Sequence, residues 1–450
     1  MYENQKWIDE ARELALSGNT AELRAQLREL DPVDIAQLIE ELPRQAKAAV
    51  FRLLGKEQAA QVFSFLEGED VQLIASIAGD GELAEMMEFL PVDDAVDLLE
   101  EMPAGVVKRI LRNTSKATRE TINRFLNYPE DSAGSIMTAE FVELKAGLTV
   151  GEAIARVRQR CEERDNLDVC YIIGSRRELM GSVSMKQLLL ARDEQPVEEL
   201  MEEDPVYAET GEDRETTALL LARYDLAALP VVDGEKRLVG VVTVDDAVDV
   251  LNEEATKDLE QMAAMLPSET PYLKTGVFSL AKNRILWLLV LMLSAMITGA
   301  ILTRYEAAFA AMPLLVSFIP MITDTGGNAG SQSSTMVIRG MGLGEIEARD
   351  GFKVLWKEAR VSLVVGAALA LVNFVRLLIT NPGNPMVAVT VSIALLFTVV
   401  LAKTIGGVLP ILAKACKADP AVMAAPLITT VVDACALVVY FSVAQMLLGL

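Results

Sequence analysis

At 450 residues the chain has room for two or three domains, and 64 acidic against 41 basic residues leave a net charge of −23. That surplus of carboxylates opposes nucleic-acid binding and favours cations as ligands. Histidine is absent, which removes Ser–His and Cys–His catalysis and the commonest zinc ligand, so a bound metal must be held by oxygen, as Mg²⁺ or Ca²⁺ is.

The charge is unevenly shared. Residues 271–450 hold 13 Lys/Arg and 8 Asp/Glu, a balance of +5, and the remaining 28 and 56 give residues 1–270 a balance of −28. An acidic, soluble front is thus joined to a mildly basic, apolar membrane part. The four cysteines (Cys161, Cys170, Cys416, Cys435) form no Cys-x-x-Cys pair and are expected to be reduced. The charged start, MYENQKWIDEARELA, is not the pattern of a signal peptide.

Residues 1–128 are predicted to be helical throughout. Apolar residues recur at helical spacing, and Pro32, Pro43, Pro91 and Pro103 punctuate them. Leu30 to Pro43 (LDPVDIAQLIEELP) matches Leu90 to Pro103 (LPVDDAVDLLEEMP) at an offset of 60, so repeated helical hairpins wound into a superhelix are expected. Asp34, Asp93, Asp94 and Asp97 fall early in these helices, where capping explains an acid as readily as a ligand does.

After a Pro/Gly/Ser break at YPEDSAGSIMT (Tyr128 to Thr138), the chain repeats again. The segment starting at Leu167 aligns with that starting at Leu226, so that Leu179, Gly181 and Val183 fall on Leu238, Gly240 and Val242. Each copy reads helix, strand, polar turn, strand, helix. This resembles a tandem pair of cystathionine-β-synthase (CBS) domains, which commonly bind nucleotides. The resemblance implies a nucleotide contact at Thr243 and Asp246, whereas the first copy has Ser184-Met185-Lys186-Gln187 and lacks the acid. Asp246, Asp249 and Glu253 then share one helical face, which either meets a cation or a basic partner or is merely solvated. The helix is expected to continue towards Met265 and Leu266.

Five membrane spans are predicted, at about 285–303, 307–338, 361–380, 386–412 and 420–450. The second and fifth are long, so tilted or broken helices are expected there. Ten loop cations fall on the side of the acidic front and only Arg304 and Arg376 on the other, which predicts a cytosolic N-terminus and an external C-terminus.

The second span contains ITDTGGNAGSQSS. Its Asp324, Thr325, Gly326, Gly327 and Asn328 combine a carboxylate, small residues and amide oxygens, which suits an ion path; a small-residue packing seam is the alternative. Asp433 is the one charge of the fifth span. It lies 13 residues from Pro420, ~20 Å along a helix, at a depth similar to Asn328. Lys403 of the fourth span is a competing partner for Asp433 or Asp324 as a buried ion pair.

The acidic helical domain, DSAGSIMT, the CBS pair, a connecting helix, five spans, TGGNAGSQSS and PLITTVVD together resemble the MgtE-type magnesium channel family. The expected fold is multidomain. An all-α superhelical domain (1–128) precedes an α+β tandem CBS pair (129–250), a connecting plug helix (251–270) and an all-α five-helix transmembrane domain (271–450). The resemblance implies a homodimer in the inner cell membrane, with Asp433 at a hydrated Mg²⁺ site in a pore between subunits. It implies Mg²⁺-sensing acids at Asp93, Asp97, Glu215, Asp225, Asp246, Asp249, Glu254, Asp258 and Asp419, with Mg²⁺ both transported and regulatory and ATP as a further ligand. Gln61 and Lys257 stand where family members have acids, and Leu226 and Gln187 where ATP-binding members contact nucleotide. A Mg²⁺-selective channel under negative feedback is therefore expected. An ion-coupled carrier or a non-transporting membrane sensor remain as alternatives, and no nucleophile–base pair suggests an enzyme.

Overall fold

The computed structural model describes residues 2–160, 168–268, 272–273, 275–306, 310, 312–423 and 425–449. Cys161, Leu167, Lys274, the expected start of the second span at Ala307 and the expected end of the fifth at Leu450 lie outside the described residues. The chain divides into two compact units, Met1–Asn252 and Glu253–Leu450.

The first unit opens with short helices, from α1 (Tyr2–Ser17) and α2 (Thr20–Leu27) to α10 (Lys116–Phe125). The repeat read from sequence is repeated in packing. Helix α3 (Pro32–Glu41) buries Ile35, Ala36, Leu38 and Ile39, and α8 (Val92–Glu100) buries Ala95, Val96, Leu98 and Leu99, the same positions 60 residues on. Each fully buried Leu or Ile contributes about 1.5–3 kcal/mol. Pro32 occupies the first turn of α3. Pro43, Pro91 and Pro103 cap the starts of α4 (Arg44–Phe51), α8 and α9 (Ala104–Asn113), where a missing N–H costs nothing.

Two small sheets follow. In the first, β1 (Val142–Lys145) pairs in parallel with β2 (Val169–Ile173), which pairs antiparallel with β3 (Leu179–Ser184), and β4 (Glu202–Glu203) completes the edge. In the second, β5 (Ala208–Glu209) pairs in parallel with β6 (Ala228–Val232), which pairs antiparallel with β7 (Leu238–Thr243). Register confirms the duplication: Ile172 faces Gly181 as Val231 faces Gly240, and both hairpins carry an irregularity at the following residue. The SAGSIMT segment is not a mere break. Thr138 bridges Val241 and Met137 is fully buried, so this stretch belongs to the second sheet. The helices of the copies are α11 (Val150–Arg160), α12 (Met185–Leu190), α13 (Arg214–Arg223) and α14 (Val244–Met262).

Helix α14 passes through 250/251 without a break and stops at Met262, short of Met265. Ala264 takes a left-handed conformation (φ 55°) while the Met265 N–H bonds back to the Glu260 carbonyl, which closes the helix end.

The second unit holds α15 (Val277–Arg304), α16 (Ile319–Gly342), α17 (Gly351–Thr380), α18 (Pro385–Ala415) and α19 (Ala425–Leu448). Among the described residues four segments are long and apolar enough to cross a membrane: α15, α17 with the short turn before it, α18, and α19 with its leading 3₁₀ turn. The second expected span, which contains α16, has a 24-residue helix but not the apolarity, because TDTGGNAGSQSST fills its middle. It packs against α18 and α19 instead. The expected second span is interrupted, but outside TGGN. The helix is regular from Ile319 to Gly342, and the irregularity precedes it, as a 3₁₀ turn over Pro313–Phe318.

Candidate functional site

Helix α16 is two-faced. Gly326, Gly327, Ala329, Gly330, Ser333 and Ser334 are buried, whereas Asp324, Asn328 and Gln332, spaced at i, i+4 and i+8, are exposed along one stripe. The buried side is a close crossing. A methyl group at Gly326 would meet Thr398 and Val432 at 2.8 and 3.0 Å, one at Gly327 would meet Thr429 at 2.4 Å, and one at Gly406 would meet the Gly330 carbonyl oxygen at 2.1 Å. The small-residue seam thus accounts for Gly326 and Gly327, which face α18 and α19 rather than the exposed stripe. Thr325 lies between the two faces, half-buried.

Because Gly326 abuts Val432, the neighbouring Asp433 stands at the depth of this segment. Asp433 is half-buried and feels the charge of Asp324. The stripe and Asp433 together therefore offer two carboxylates, an amide oxygen at Asn328 and another at Gln332. A helix whose carbonyls are already bonded leaves side-chain oxygens as its free ligands. Such a face suits a cation that keeps much of its water shell, as Mg²⁺ does.

Lys403 does not pair with Asp433 or Asp324. It is buried, and its Nζ donates to Ser333 Oγ at 3.3 Å, while the Ser333 hydroxyl donates to Glu358 Oε2 at 2.6 Å. Three helices, α16, α17 and α18, meet in this link, and Gly407 leaves room for the Glu358 side chain. The adjacent Ser334 hydroxyl donates to the Met423 carbonyl at 2.8 Å. The residue pattern gives little warning of Glu358, which sits among loop-like charges at the start of α17. The lone Lys403 in an apolar helix was the available signal that some acid had to answer it.

A second group of acids lies in the first unit. Burial first, and then the neighbouring Asp94, push the Asp93 carboxyl up to about 6, against partial relief from the Thr138 hydroxyl and local N–H groups. Its Oδ1 is buried without a hydrogen-bond partner. Burial, followed by Asp93, Glu100, Asp94 and Asp246, raises Asp97 to about 7, and burial, with Asp93 and Asp245, raises Asp246 to about 6. Asp97 keeps an exposed surface, so solvent screens it and the half-buried Asp93 and Asp246 carry more of the effect. Asp249 is exposed one turn beyond Asp246, Asp225 lies in an exposed left-handed turn (φ 52°), and Glu215 is half-buried in α13. The Thr243 hydroxyl hydrogen-bonds Asp246, so the expected nucleotide pair is turned on itself. In the first copy Ser184 and Gln187 close a capping box.

A third group lies in the second unit. Burial, Asp419 and Glu254 raise the Asp258 carboxyl, opposed by Lys257 and Arg339. Lys257 Nζ is 3.1 Å from Glu254 Oε2, and Asp419 accepts from the Ala421 N–H at 2.9 Å. Met262 packs on Ile338 and Ala421, so the end of α14 reaches the end of α16 and the start of the last span. Among the described residues no three carboxylates stand close enough to form a ready-made cage for one ion.

The first-unit acids carry a pH dependence. A carboxyl whose pKa is higher in the packed state than in the free chain favours packing when protonated. That contribution is complete below about pH 4 and is lost as the pH rises through about 6 to 7. In metal-free protein, the helical domain is expected to resist protease better near pH 5 than near pH 8. Mg²⁺ should restore resistance near pH 8 and add little near pH 5. Equal cleavage at both pH values without metal would refute the assignment.

Residues 30–131 match the MgtE intracellular N domain, 197–253 the CBS domain, and 319–443 the MgtE divalent cation transporter family. The magnesium transporter MgtE of Thermus thermophilus is 34% identical over 441 residues, 97% of each chain. That of Bacillus subtilis is 31% identical over 431 residues, 96% of this chain and 95% of the other. Among solved structures, the cytosolic domain of the Mg²⁺ channel MgtE in complex with ATP is 34% identical and covers 54% of this chain and 99% of its own, with a TM-score of 0.52. The soluble part of a magnesium transporter is 25% identical and covers 56% and 99%, with a TM-score of 0.53.

Proposed function

The chain belongs to the MgtE family of magnesium transporters, and from that premise we propose that it is a Mg²⁺-selective, channel-like transporter closed by rising cytosolic Mg²⁺. The observation that carries this reading is the polar stripe of Asp324, Asn328 and Gln332 on α16, beside Asp433 and among apolar helices. Two copies of the chain line the pore with α16 and α19, Asp433 holds the hydrated ion, and Asp324 adds a second carboxylate per subunit. The front half faces the cytosol and the C-terminus the outside.

Regulation uses the other two acid groups. Mg²⁺ relieves the repulsion among Asp93, Asp97 and Asp246 and draws the helical domain onto the second CBS copy, with Glu215, Asp225 and Asp249 supplying further contacts. Where α14 ends, Mg²⁺ between Asp258 and Asp419 holds the last turns of α14, up to Met262, as the plug. Lys257 already neutralises Glu254, so this end needs less metal than an all-acid plug. ATP is a lesser ligand, because the Thr243 hydroxyl is engaged by Asp246.

Liposomes reconstituted with the full chain test the reading. Mg²⁺ uptake is expected without any Na⁺ or H⁺ gradient, and protein oriented with its front half inside should slow as internal Mg²⁺ rises through the millimolar range. Uptake that needs a counter-ion gradient would make the protein a carrier. No uptake at all would leave a membrane-bound sensor.

A further inference from the structure

We propose that the start of α17 is a binding site for an anionic phospholipid. The site is a groove of about 350 Å³ lined by Lys357, Arg360, Val361, Val364 and Val365. Lys357, Val361 and Val364 follow at i, i+4 and i+7, so two cations stand at one end of an apolar strip that runs ~10 Å further along the helix. Val361 and Val364 are 40% and 72% exposed, so among the described residues no helix covers this strip. Trp356, 59% exposed, lies beside it, and the Arg360 guanidinium sits 5.8 Å over its ring.

The neighbouring charges are already committed. Lys353 pairs with Asp350 at 2.7 Å, and Glu358 turns inward to Ser333. Lys357 has no acidic partner among the described residues, and Arg360 is held only by the Trp356 ring and carbonyl. The occupant must therefore be anionic at one end and apolar at the other. A soluble anion satisfies the cations but not the valines, and an apolar protein face does the reverse. A glycerophospholipid with net negative charge does both. Its phosphate lies between Lys357 and Arg360, its ester region beside Trp356, where indole rings favour the membrane interface, and an acyl chain on the valines.

The test uses the full-length protein in nanodiscs of equal phosphatidylglycerol and phosphatidylcholine, followed by native mass spectrometry of the lipids retained. The wild type is expected to retain phosphatidylglycerol over phosphatidylcholine by roughly ten-fold, the scale set by two cations near an anionic headgroup. Lys357→Gln/Arg360→Gln should fall to near parity with unchanged oligomeric mass, and Lys357→Arg/Arg360→Lys should keep the preference. Trp356 gives a second readout that does not depend on the lipid count. Of the three tryptophans, Trp7 and Trp287 are replaced by Phe, and brominated phosphatidylglycerol should quench Trp356 more than brominated phosphatidylcholine does. Soluble glycerol phosphate should not reverse that quenching. Equal quenching by the two lipids, or an unaltered preference in the double Gln variant, would overturn the proposal. So would a change of oligomeric mass with no change in lipid, which would make the groove a contact between copies of the chain.

Discussion

Asp433→Asn is expected to reduce Mg²⁺ uptake by of order 10²-fold or more while the protein still assembles. The substitution keeps the side chain's shape and removes a charge from the one acid of α19. A carboxylate about 5 Å from a divalent ion, at an effective dielectric of about 20, contributes several kcal/mol, which is enough for that loss. Asp324 stands exposed at the same depth, where water screens it more, so Asp324→Asn should cost no more than about ten-fold. Lys403 is bonded elsewhere, so neutralising Asp433 leaves no buried charge behind and should not lower thermal stability much. Flux into liposomes and melting in detergent check both parts. Wild-type flux in Asp433→Asn would remove Asp433 from the pathway.

The second large effect is expected at the link joining Lys403, Ser333 and Glu358. Lys403→Met leaves Glu358 and Ser333 facing an apolar side chain, and Glu358→Gln leaves a buried ammonium without its acid. Breaking one side of a buried charge pair costs about 3–5 kcal/mol, and Glu358, which is only half-buried, should give the smaller loss when it is the residue left alone. The double variant Lys403→Met/Glu358→Gln removes both charges together. It should recover most of the melting temperature, and much of the flux if the link serves to hold α16 in place against α17 and α18. Ser333→Ala is expected to fall between the single and double variants, because it deletes the bridge but leaves both charges. Purely additive losses in the double variant would mean that the two charges do not act as a pair.

Much of this protein is legible in its residues because the signals are local. The prolines at helix starts, the apolar positions repeated 60 residues apart and the paired hairpins of the CBS copies need only a few neighbouring residues to be read. Length and apolarity likewise announce α15, α17, α18 and α19. The end of α14 was less clear, since nothing between Met262 and Leu266 is a glycine or asparagine and the stop is made by Ala264 in an unusual conformation.

By itself, the sequence determined the order of the domains, the absence of histidine chemistry, the need for oxygen ligands and the place of Asp433 as the one charge of the last helix. It did not determine which way α16 turns. In TDTGGNAGSQSST both faces carry small or polar residues, so no hydrophobic side selects the rotation of the helix. Packing selects it: the glycines and Ser333 and Ser334 go where α18 and α19 approach most closely, and Asp324, Asn328 and Gln332 are left outward. The same packing chose the partner of Lys403. A lysine in an apolar helix requires a counter-charge, but only the approach of three helices decides whether Asp433, Asp324 or Glu358 supplies it, and here Glu358 does so through Ser333.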